Sequence, residues 1–139
     1  MKPMTRSFAI AIFCAIVPAL FSNVAFAVTT SEIMDMVLVS RQKVAGLVAV
    51  DDPDTQNAII NEINQSSLQV NHMVETIMAD ETTTQEIKDK IMPFITVWSS
   101  FVKTRDEELI PAALAGDKDK AKLIGQGVQL ERIKSMTAL

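Results

Sequence analysis

Cysteine, histidine and tyrosine are almost missing from this sequence, which holds one Cys, one His and no Tyr in 139 residues. The single cysteine, Cys14, sits in an apolar N-terminal run. The rest of the chain therefore has no disulfide and no thiolate to use. A lone histidine, His72, excludes two-histidine zinc sites, and without GxSxG or HExxH spacing it gives no pattern of a nucleophile–base pair. Asp106, Glu107 and Glu108 are consecutive, so on a helix they fan outward and do not converge as a carboxylate pair. These absences predict a protein that is not an enzyme. A basic surplus is missing too: 13 Lys and Arg face 17 Asp and Glu, a net charge of −4, which argues against a nucleic-acid binder. Glycine and proline number only four and five, and no alternating strand pattern, low-complexity linker or internal repeat is present.

Long apolar runs are confined to the N-terminus. Lys2 and Arg6 precede an almost wholly apolar stretch from Phe8 to Phe21, and Ala25-Phe26-Ala27 follows. This is the pattern of a secretory signal peptide over residues 1–27, with cleavage expected after Ala27 and retention as an anchor as the alternative. The expected mature domain, residues 28–139, carries 11 basic against 17 acidic residues. It is expected to be exported to the periplasm and to enter no membrane after cleavage.

What remains reads as four helices. Thr29 and Glu32 have capping-box spacing, and Ile33, Val37, Val44, Leu47 and Val48 form one face of a first helix ending near Val50. That face is interrupted at Ser40-Arg41. Asp52 and Pro53 start a second helix that runs to about Ala79, with Ile60, Ile63, Ser67, Val70, Val74 and Ile77 as its stripe. Thr83-Thr84-Gln85-Glu86 caps a third helix. Its apolar residues Ile87, Ile91, Phe94, Trp98 and Phe101 step by four, three, four and three, a heptad seam. Extended onward, that seam places Arg105 and Glu108 on the inner edge. Pro93 is expected to bend this helix near Lys90, and Pro111 to distort its last turns before Gly116 caps it. Asp117 then opens a fourth helix, Lys118 to about Thr137, with Ala121, Ile124, Val128, Leu130, Ile133 and Met136 as its stripe. Gly125 and Gly127 each weaken it by about 1 kcal/mol relative to Ala. The fold class expected is all-α, an up-down-up-down antiparallel four-helix bundle.

Three residues stand out as candidate ligand contacts. Arg41 and Arg105 put guanidinium groups on apolar faces, and a guanidinium fork suits a carboxylate. Trp98 offers a flat apolar wall. The alternatives are internal pairing of Arg105, for example with Glu108, and ordinary core packing of Trp98. A haem or Cu(I) carrier built on His72 with Met73 and Met34 or Met36 is a second class of function, since imidazole and thioether suit those centres. It has neither C-x-x-C-H nor Glu-x-x-His in its favour. A structural or chaperone-like bundle without any ligand is the third.

The segment from Val97 to Gly127, VWSSFVKTRDEELIPAALAGDKDKAKLIGQG, resembles the periplasmic four-helix-bundle sensor domain of methyl-accepting chemotaxis receptors. The likeness rests on the aromatic pair Trp98 and Phe101 before a basic residue, a short apolar run, and Gly116-Asp117 leading to Ala121. Upstream it continues only in outline, through Arg41 and Asp51-Asp52. The resemblance implies a ligand-binding sensor bundle, a homodimer, and a membrane sensor protein as partner. Such receptors continue into a second membrane helix, a HAMP linker and a signalling coiled coil, so the expectation is a sensor-type bundle freed from these parts. Aspartate-type receptors use several first-helix arginines. Here that helix has Arg41 and Lys43 only, so amino-acid specificity is not carried over.

Overall fold

A computed structural model of the chain describes residues 29–138. The expected signal peptide and Cys14 lie outside the described residues. Every regular element among the described residues is helical: α1 (Thr30–Ala49), α2 (Pro53–Ala79), α3 (Gln85–Thr104), a π-helical turn (Arg105–Leu109), α4 (Ile110–Leu114), α5 (Lys118–Gln126) and α6 (Val128–Thr137). None of these helices is long and apolar enough to cross a membrane.

The boundaries follow the capping chemistry. Thr29 and Glu32 close a reciprocal capping box, with the Thr29 N–H donating to Glu32 Oε2 over 2.7 Å. Asp52 accepts from the Thr55 N–H at 2.8 Å, with Pro53 at the first helical position. Thr84 and Asp117 cap α3 and α5 in the same way. Gly116 adopts φ +76°, and the Asp117 N–H donates to Ala112 O at 2.9 Å while the Gly116 N–H donates to Ala113 O at 3.1 Å. That is a Schellman ending, which the left-handed freedom of glycine permits.

Two apolar clusters occupy the two ends of the interior. The first joins Ile33 and Val37 of α1, Val70, Val74 and Ile77 of α2, Ile91, Phe94, Trp98 and Phe101 of α3, and Ile133 and Met136 of α6. Trp98 stacks between Phe94 and Phe101, with ring centroids 6.4 and 5.5 Å away. The second joins Val44, Leu47 and Val48 of α1 and Ile63 of α2 to Leu109, Ile110, Ala112, Ala113 and Ala121. Each large side chain so buried contributes about 1.5–3 kcal/mol.

Two elements differ from the sequence expectation. The seam of the third helix holds through Ile91, Phe94, Trp98, Phe101 and Arg105, all buried, but Glu108 is exposed and Leu109 takes the inner place at 1% exposure. The cause is the π turn, whose wider winding, closed by the Ile110 N–H donating to Arg105 O, shifts the register by one residue. Pro111 accounts for its position: proline lacks an N–H, and its ring would collide with the carbonyl of Glu107 in a regular α-helix. Pro93, by contrast, lies on an exposed face within an unbroken α3.

The fourth helix is also not continuous. It breaks at Gly127 into α5 and α6, Val128 is exposed, and Gln129 is buried where the stripe had placed Val128. A Cβ on Gly127 would stand 2.8 Å from Leu123 O, so the break occurs at a residue without a side chain.

Candidate functional site

Between the two apolar clusters lies a layer of buried polar groups: Ser40, Ser67, Thr104, Arg105 and Gln129. Arg105 is at its centre and is 1% exposed. Its Nη1 donates to Ser67 Oγ at 2.7 Å and to Ser40 Oγ at 3.5 Å. Its Nε and Nη2 donate side-on to the two oxygens of Asp106, at 2.7 and 3.2 Å. The guanidinium is thus held on both sides by the protein itself, and the partner is Asp106, not Glu108. No buried side-chain nitrogen or oxygen among the described residues lacks a hydrogen-bond partner. Gln129 closes the layer, donating from Nε2 to Phe101 O at 2.9 Å and accepting from Arg132 at 3.0 Å.

Outside this layer, α1 and α5 leave a cleft of about 470 Å³ between them. Its walls come from residues three and four apart on each helix: Arg41, Val44, Ala45 and Val48 on α1, and Lys118, Ala121, Lys122 and Gly125 on α5. Phe101, Leu109 and Gln129 also line it. Ala45, Ala49 and Ala121 bring only a methyl group to the cleft and Gly125 no side chain, which leaves room between the two helices. Its size is that of a small-molecule site.

The charge in the cleft has one sign. Arg41, Lys118 and Lys122 line it, and no carboxylate does. Lys118 is bonded to Asp51, just beyond α1, at 2.7 Å. Arg41 and Lys122 are exposed and make no ion pair among the described residues. Such an arrangement suits an apolar molecule carrying a negative group, because the walls take the apolar body and the rim takes the charge.

The three residues singled out in the sequence are not brought together. Arg41 lines the cleft, Arg105 is locked in the buried layer, and Trp98 is 4% exposed in the aromatic cluster, its indole N–H donating to Asn71 Oδ1 at 2.9 Å. Lys118, Lys122 and Gln129 are cleft residues that the sequence reading did not single out. The spacing Lys118, Ala121, Lys122, Gly125 carried the signal for them, a helix face of small residues flanked by cations.

His72 is exposed on α2, whereas Met73, Met34 and Met36 are half-buried against the aromatic cluster. Among the described residues no group of three or more His, Cys, Asp or Glu side chains could hold a metal ion. The carboxylates with lowered pKa are caps and turns, and none of them lines the cleft. Glu32 is lowered by the Thr29 backbone and then its hydroxyl, Asp52 by the Thr55 hydroxyl and backbone, and Asp80 by the Thr82 hydroxyl and backbone. No protein-family model matches the chain, and no curated protein or solved structure matches it.

Proposed function

We propose that this chain is an exported, non-enzymatic up-down-up-down four-helix bundle over residues 28–139, which binds a small acidic ligand in the α1–α5 cleft. The observation that carries the reading is an apolar cleft of about 470 Å³ lined by three basic side chains and no acidic one. In a chain of net charge −4, such a cleft is a local reversal of sign. The distribution of the two clusters supports the topology: the aromatic one gathers the start of α1, the end of α2, Ile91 to Phe101 of α3 and the end of α6, and the other gathers the end of α1 with Ile63 of the first half of α2. The chemoreceptor-like segment, residues 97–127, contributes Phe101, Leu109 and the α5 wall, so the likeness covers one of the two walls of the cleft. Export to the periplasm rests on the signal-peptide pattern of residues 1–27, and a homodimer working with a membrane sensor protein is the assembly the likeness implies.

At an exposed rim a charge pair contributes about 0.2–1 kcal/mol, which adds to the burial of the ligand's apolar body and gives a measurable stabilisation on binding. The test is thermal unfolding with decanoate or with its neutral amide. Decanoate raises the melting temperature of the wild type, decanamide does so much less, and Arg41→Ala removes the difference. Equal stabilisation by acid and amide, or none by either, overturns the reading.

A further inference from the structure

The cations of the cleft are not clustered, and their placement bears on what the ligand carries. The α1 wall runs from Arg41 to Ala49 and the α5 wall from Lys118 to Gln126, each about 12 Å along a helix axis. The ends are fixed by independent contacts. Lys118 is tied to Asp51, beyond the C-terminal end of α1. At the other end, Gln129 bonds Phe101 O, and one turn further on Arg105 reaches Ser40, the neighbour of Arg41. The two walls therefore run in opposite directions. Long side chains on a helix lean toward its N-terminus, so Arg41 leans away from the lysines and the lysines away from Arg41. Arg41 therefore stands at one end of an apolar trough and Lys118 at the other, while Lys122 lies midway along the α5 wall and leans toward Lys118.

The charges balance at the two ends. Arg41 supplies one positive charge at its end, where no carboxylate lines the wall. At the other, Lys118 and Lys122 less the bound Asp51 also leave one. Between them Val44, Ala45, Val48, Ala121 and Gly125 offer nothing polar from their side chains. A ligand with a single acidic group would satisfy one end and leave the other cation unmatched.

We infer that the α1–α5 cleft takes an elongated α,ω-dianion, an apolar chain or ring system with an acidic group at each end, one facing Arg41 and the other Lys122. The inference rests on the cleft being a site for acidic ligands. With about 6 Å of helix rise between the levels of Arg41 and Lys122 and the opposite lean of the two long side chains, an extended chain of about ten carbons, with carbon–carbon bonds near 1.5 Å, spans the two groups.

Isothermal titration of the protein with decanedioate, decanoate and butanedioate at low ionic strength tests it. Decanedioate is expected to bind about two- to fivefold more tightly than decanoate, from one added charge pair at an exposed rim. Butanedioate, too short to reach both ends, is expected to bind no better than decanoate. Arg41→Gln and Lys122→Gln are each expected to bring decanedioate down to the affinity of decanoate. Both positions are exposed, and the melting temperature of each variant verifies folding. Equal affinities for decanoate and decanedioate overturn the two-ended ligand while leaving an acid-binding cleft intact. Absence of binding by all three acids overturns both.

Discussion

Arg41 and Arg105 lie on adjoining levels of the same molecule and look alike in the sequence, each a guanidinium interrupting an apolar helix face. Their surroundings are opposite. Arg105 is 1% exposed, with two serine hydroxyls and a carboxylate around it, whereas Arg41 sits at the exposed rim of a cleft without an ionic partner. Burying a charge is tolerable only when its hydrogen bonds are met, so a buried arginine arrives with its partners and has little left to offer a ligand. An arginine at the edge of an apolar cleft keeps its fork free. The buried one belongs to the architecture, and the rim one is the contact we propose for recognition.

The largest effect that can break this comparison lies in the buried layer. Arg105→Ala is expected to destabilise the fold by about 3–5 kcal/mol, from the lost fork and the cavity it leaves. Arg105→Met fills the space, and Asp106, with a 44% exposed side chain, can turn to water, so its cost is expected to be nearer about 1 kcal/mol. Urea unfolding of both variants measures this. A neutral Arg105→Ala would show that the buried layer does not hold the two halves of the core together.

The glycines of the fourth segment sharpen the comparison at the cleft. A Cβ at Gly127 meets Leu123 O at 2.8 Å, while one at Gly125 meets only Leu109 Cδ1 at an ordinary 3.6 Å. Gly127→Ala is expected to cost about 1–3 kcal/mol through that clash. Gly125→Ala is expected to stabilise by about 0.5–1 kcal/mol, because alanine restricts the unfolded chain and favours the helix. Opposite shifts in the denaturant midpoint are the predicted result. Two changes of the same sign would contradict the break at Gly127.

The smallest effect is general. Glu32, Asp52 and Asp80 have folded pKa values below the ordinary carboxylate range because they accept cap and turn hydrogen bonds. A depressed folded pKa gives stability that is complete above the unfolded value and is lost as pH falls through the folded one, here below about pH 4. None of these groups lines the cleft or pairs with Arg41, so wild type and Arg41→Ala should lose stability in parallel in acid melts. Divergence between them would place a titrating partner at Arg41.

Much of the helical layout was legible in the sequence, and the reasons are local. Thr29 with Glu32, Asp52 with Pro53, and Gly116 with Asp117 mark helix ends through short-range hydrogen bonds, and 3.6-residue periodicity marks the inner faces. The Arg105 position on the seam was legible for the same reason. The register shift at the π turn was not: Pro111 signals a distortion, but which carbonyl is released depends on how Leu109 and Ile110 pack. The cleft was legible only at Arg41. Its second wall depends on the approach of α5 to α1, a tertiary fact, and Gly125, which reads in the sequence as a weakness of the helix, belongs to that wall.

The separation of roles between the two arginines is tested most directly by amide chemical-shift mapping of the protein titrated with decanoate. The prediction is that the largest shifts fall on Arg41, Ala45, Lys122 and Gly125, while the amides of Ser67 and Arg105 move little. Shifts centred on Arg105 and Trp98, or on His72 and Met73, or no shifts at all, would contradict the account.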